Sequence, residues 1–138
     1  MSPSLETQSL RLTCLESSGQ ITGFQLEARQ AAGWKLMSTT APLSHLIYLD
    51  TQEQRHETAF NAADCEASDT AMTLRGQFID SDDVTWSMTI VLALTDNPNQ
   101  ISADYRLKAS AERKVLRWLG PCLYAGEGSF GSAKDEAI

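Results

Sequence analysis

Acid–base chemistry at neutral pH falls first to histidine, and this chain has two, His45 and His56. His56 sits in the polar run Gln52-Glu53-Gln54-Arg55-His56-Glu57, where an imidazole and a carboxylate are neighbours. Histidine titrates close to neutrality, so this pair has the composition of a base and an acid. Successive side chains of an extended chain point apart, however, which argues against their acting on one substrate. His45 alternates with the apolar Leu46 and Tyr48, as a structural or surface histidine does. His45, His56 and Glu57 are therefore weak catalytic candidates, and no catalytic residue is assigned.

Metal and cofactor chemistry finds little support. Two histidines and an acid lack a recognised ligand spacing, and Cys14, Cys65 and Cys122 are widely spaced with no CxxC pair. Asp80, Asp82 and Asp83, with Asp96 and Asn97 in the next turn, offer oxygen ligands of the kind calcium takes. They lack the EF-hand pattern, and Asp and Asn favour turns through their own backbone hydrogen bonds. Gly126-Glu127-Gly128-Ser129-Phe130-Gly131 has no Lys-Ser/Thr ending and does not form a nucleophile elbow. The expectation is no metal and no cofactor.

Aromatic side chains could serve a different purpose, stacking on sugar rings. Trp34, Trp118 and Tyr124 are the candidates for carbohydrate contact, because the two tryptophans lie near turns. Trp86 and Tyr105 instead fall on apolar faces of strands and are expected in the core.

Those faces belong to the strongest pattern in the chain, residues 84–110. Val84, Trp86, Met88, Ile90, Leu92 and Leu94 alternate with Thr85, Ser87 and Thr89; after the turn Thr95-Asp96-Asn97-Pro98-Asn99-Gln100, Ile101, Ala103, Tyr105, Leu107 and Ala109 alternate with polar residues. A period of two sustained this long is a β-hairpin. Further strands are expected at 8–16, 21–30, 43–49 and 70–80, with weaker extended character at 62–68. Residues 51–61 are expected to be loop, with at most a short turn of helix. Residues 112–119 fit either a helical stripe or an irregular strand, stopped by Gly120-Pro121. Short turns between strands leave no room for helical crossovers, so the fold class is all-β, an antiparallel sandwich or barrel.

The chain of 138 residues is long enough for one core. Its net charge of −7 disfavours nucleic acid and anionic membranes as partners. No run approaches the roughly 18 apolar residues of a membrane helix, and the N-terminal residues lack the basic and apolar regions of a signal peptide. Localisation is left open. Residues 1–125 are expected to form the sandwich domain, and the Gly- and Ser-rich residues 126–138 a flexible tail or the start of an interdomain linker.

Three passages carry a resemblance: Trp86-Ser87-Met88-Thr89-Ile90-Val91-Leu92, Ile101-Ser102-Ala103-Asp104-Tyr105, and Val115-Leu116-Arg117-Trp118-Leu119-Gly120-Pro121, with Tyr124-Ala125-Gly126-Glu127-Gly128 beyond. In this order they resemble the N-terminal β-sandwich domain of large bacterial carbohydrate-active enzymes, related to the galactose mutarotase-like supersandwich. The resemblance implies a noncatalytic accessory or cleft-shaping domain, partnered by a C-terminal catalytic domain of the same parent chain that processes glycosides. An independent carbohydrate-binding module is the alternative. A mutarotase-like epimerase is a third reading, but the carboxylate base and histidines of a mutarotase have no complete match in this chain.

Overall fold

The computed structural model describes residues 2–40, 42–120 and 123–125, with only the backbone of 40 and 123–125. Among these residues the chain forms strands and no helix: β1 (Ser4–Glu6), β2 (Leu10–Ser17), β3 (Gln20–Gln30), β4 (Gly33–Thr40), β5 (His45–Leu49), β6 (Arg55–Ala59), β7 (Asp64–Ala67), β8 (Ala71–Ile79), β9 (Thr85–Leu94), β10 (Ile101–Ala109), β11 (Lys114–Leu119) and β12 (Leu123–Ala125). They build three antiparallel sheets, in the orders β1-β2-β3-β4-β12, β10-β9-β8-β7 and β11-β5-β6. The fold is an all-β antiparallel sandwich.

The 84–110 hairpin forms as its alternation requires. Its register runs from Ile101 opposite Leu94 to Ala109 opposite Trp86 without a break. Trp86, Met88, Ile90 and Leu92 are buried, and Met72 and Leu74 of the neighbouring β8 join them. This four-stranded sheet is the wall shared by both others. Leu12, Cys14 and Phe24 of the five-stranded sheet belong to the same core, as do Leu46 and Tyr48 of the three-stranded sheet. Tyr48 meets Trp86 at 4.8 Å between ring centroids, and the Trp86 ring stacks on Phe78 at 6.0 Å. Each large apolar side chain taken out of water here contributes roughly 1.5–3 kcal/mol before entropic costs.

One close approach locks the layers. A Cβ on Gly76 would collide with the Asn61 carbonyl oxygen, so the chain linking β6 to β7 lies directly on β8.

One segment departs from the sequence expectation, and another takes one of its two alternatives. Residues 51–61 are not simply loop, since Arg55–Ala59 is the edge strand β6, paired with β5 from Leu49 opposite Arg55 to His45 opposite Ala59. An edge strand buries little of either face, so its polar composition conceals it. Residues 112–119 resolve as strand, with a register shift between Val115 and Arg117 where β11 pairs with β5. The bulge breaks the two-residue period and explains why the segment could also be read as a helical stripe. The short strand β1, with Leu5 buried, the strand β4 and the backbone strand β12 had no counterpart in the sequence reading. The tail expected at 126–138 lies outside the described residues.

Candidate functional site

Titratable groups concentrate at one end of the sandwich, where the hairpins β5–β6 and β8–β9 turn. The two turns share one construction. In the first, Asp50 Oδ1 accepts the backbone N–H groups of Gln52 (2.8 Å) and Gln54 (2.9 Å), and Oδ2 lies 2.8 Å from His56 Nε2. In the second, Asp80 Oδ1 accepts the N–H groups of Asp82 (2.8 Å) and Val84 (3.1 Å), and Oδ2 accepts Trp86 Nε1–H at 2.9 Å. In each turn the residue three after the aspartate, Glu53 or Asp83, has φ of 60°. Thus each aspartate caps its own turn and holds the ring N–H six residues later. A carboxylate only accepts, so His56 turns an Nε2–H toward Asp50.

The turns are also tied to each other. Thr51 donates to Asp82 Oδ2 through its backbone N–H (3.2 Å) and its hydroxyl (3.1 Å). Tyr48 lies between them, stacked on His56 at 5.2 Å and tilted against Trp86. Arg113, next to β11, completes the cluster by donating from Nε to Asp80 (3.3 Å) and from Nη2 to Asp82 (3.4 Å). The Asp80 side chain is 0% exposed and that of Arg113 7%.

The electrostatics follow from these contacts. Burial pushes the Asp80 carboxyl upward, but Trp86, the Val84 and Asp82 amides and the Arg113 charge together hold it below its usual range. Asp50 is likewise lowered, chiefly by the hydrogen bond from His56 and then by the Gln54 amide. Both aspartates are ionised acceptors over the neutral range. Above the cluster lies a hollow of about 230 Å³, lined by Leu49, Asp50, Thr51, Glu53, Glu112, Arg113 and Lys114.

Asp50 and His56 thus form a carboxylate–imidazole pair, the orienting half of a nucleophilic triad. The hydroxyl of Thr51 in the same turn is held on the carboxylate of Asp82 rather than on the imidazole. Among the described residues no three His, Cys, Asp or Glu side chains are grouped to hold a metal ion. Asp80 and Asp82, considered above as cation ligands, instead receive Arg113.

The structure separates His56 from Glu57. On β6 they face opposite ways: His56 packs on Tyr48, while Glu57 lies 3.2 Å from His45 Nε2 and 3.4 Å from Arg55 Nη2. The sequence reading found both histidines but not their partners. Asp50 and Asp80 each stand six residues before a ring N–H donor, and that spacing was the available signal.

The aromatic candidates occupy distinct settings. Trp34, half-buried on β4, has the guanidinium carbons of Arg11 and Arg29 each 4.6 Å from its ring centroid. Trp118 is half-buried, donates from Nε1 to Ser44 Oγ at 3.3 Å and lies 6.0 Å from the Tyr105 ring. Tyr124 has its backbone in β12, paired with Thr39, and its side chain lies outside the described residues. Trp86 is in the core, as its position predicts, and Tyr105 is half-buried against it.

In comparisons with known proteins, the chain matches no family model, no curated protein and no solved structure.

Proposed function

We propose that this domain is a noncatalytic accessory module that acts by packing against a neighbouring domain. The observation that carries the reading is the surface of β11. Val115, Leu116 and Leu119 are 43%, 48% and 38% exposed on a strand that pairs, among the described residues, only with β5. Exposed apolar side chains on a strand that is a sheet edge among the described residues favour a partner that covers them and extends the sheet. The end-of-sandwich cluster supports the same reading, because its ionised groups are engaged with one another.

The resemblance of the three hairpin and β11 passages supports a carbohydrate-active catalytic domain of the same parent chain as that neighbour, and a glycoside as the parent's substrate. The test has two arms. Residues 1–138 alone are expected to release no sugar from a panel of glycosides, and turnover by this domain would overturn the reading. Leu116→Glu with Leu119→Glu is expected to abolish co-purification with the catalytic domain while leaving the thermal midpoint within a few degrees of wild type. Retained association would refute the role given to β11.

A further inference from the structure

A second opening lies away from the charged end. Between the five-stranded and four-stranded sheets is a cavity of about 290 Å³, lined by Leu10, Leu12, Phe24, Leu26, Leu92, Asn99, Gln100, Ile101 and Ala103. Its walls are aliphatic apart from Phe24, and its two amide side chains both come from the β9–β10 turn. That turn is fastened across the sandwich. Thr7 Oγ1 and Ser9 Oγ each lie 2.6 Å from the Pro98 carbonyl oxygen, and Ser9 Oγ is 2.5 Å from the Asn99 amide. The β1–β2 and β9–β10 turns are therefore clasped beside the mouth of an apolar slot.

We infer that this slot binds a short aliphatic chain carrying an uncharged, hydrogen-bonding head. Two observations select that ligand. The volume lies near the lower end of small-molecule sites, roughly 300–1,000 Å³, which limits the occupant to a medium-length chain. The amide oxygens of Asn99 and Gln100 already accept from Ser9 and Thr95, so the two side chains offer neutral N–H donors but no cation, in a chain of net charge −7. A fatty-acid anion would meet no counter-charge there, whereas the oxygen of an alkanol-like head can accept from the N–H groups of either amide. The slot shares no lining residue with β11, so this inference stands independently of the packing role.

The probe is octan-1-ol, titrated into ¹⁵N-labelled residues 1–138 and followed by amide chemical shifts, with octanoate as the charged control. Saturable shifts at Leu10, Leu12, Leu92 and 99–103 are expected, with Kd on the order of 0.1–1 mM for a ligand of this size. Octanoate is expected to bind at least about tenfold more weakly, the cost of an unpaired charge. Ala103→Phe, on the exposed edge strand, fills the slot and is expected to weaken octanol by more than about tenfold. Should that variant not fold, Gln100→Leu gives the same test by removing a head-group partner, with a weakening of about threefold or more expected. Shifts that never saturate, shifts centred on β11, equal binding of octanoate, or undiminished binding by a folded variant each overturn the inference.

Discussion

Replacing Arg113 with Met tests whether the charged end of the sandwich is a buried ion-pair network or a solvated surface cluster. The substitution keeps the aliphatic stem and removes the charge facing Asp80, whose side chain is 0% exposed. Removing one partner of a fully buried pair costs about 3–5 kcal/mol, because the other charge is left uncompensated. Asp80 retains three donors, from Trp86 (2.9 Å), Asp82 (2.8 Å) and Val84 (3.1 Å). The Arg113 contacts are longer, at 3.3 and 3.4 Å, and adjoin an open hollow that allows solvent screening. The expected loss is therefore about 2 kcal/mol, or about 6–10 °C in Tm for a chain of this length. Urea unfolding followed by tryptophan fluorescence measures it, with Trp86 reporting from inside the network. Asp80→Asn is expected to lose more, about 3 kcal/mol, since an amide nitrogen turned toward Trp86 and Arg113 sets donor against donor. The double variant should recover about 1 kcal/mol of the summed losses. A loss below about 0.5 kcal/mol for Arg113→Met, with strict additivity, would refute the buried-network account.

Three further outcomes follow from the same contacts. Because the folded-state Asp80 carboxyl is held below its unfolded value, its contribution to stability is complete above the unfolded pKa of about 4 and is lost as pH falls through the folded pKa; urea midpoints from pH 7 to pH 2 should show a shallower acid decline for Asp80→Asn than for wild type. Gly76→Ala drives a Cβ into the Asn61 carbonyl and is expected to cost about 2–3 kcal/mol in chemical denaturation, where an ordinary strand Gly→Ala change would be neutral or stabilising. Burial pushes the Cys14 thiol up to about 12, and the side chain is 1% exposed. In a Cys122→Ser background, brief iodoacetamide treatment followed by mass spectrometry should label Cys65, which is half-buried, and leave Cys14 unmodified until the chain unfolds.

Legibility along the chain tracked how many faces each strand buries. β9 buries one whole face under two sheets, so Trp86, Met88, Ile90 and Leu92 announce it by type and spacing alone. β6 buries almost nothing and is held by backbone pairing with β5, which leaves no mark on its composition. The candidate site was less legible than the fold for a related reason. Histidines and clustered aspartates are visible as residue types, but their partners are set by turn conformation. His56 next to Glu57 in sequence is turned away from it and onto Asp50, and His45 takes Glu57 from a neighbouring strand.

The amino-acid sequence by itself determined that this protein is an antiparallel β structure, because side-chain alternation is a local property of an extended backbone. It also determined that Trp86 is core. Tertiary structure alone decided that Arg113 reaches across to Asp80, 33 residues earlier, and that β10 and β2 enclose a common apolar slot. It decided too that β11 presents Leu116 and Leu119 outward, since a bulge sets which way its side chains point. Such features depend on the register and facing of strands distant in sequence, and no periodicity within one strand encodes what another brings to meet it.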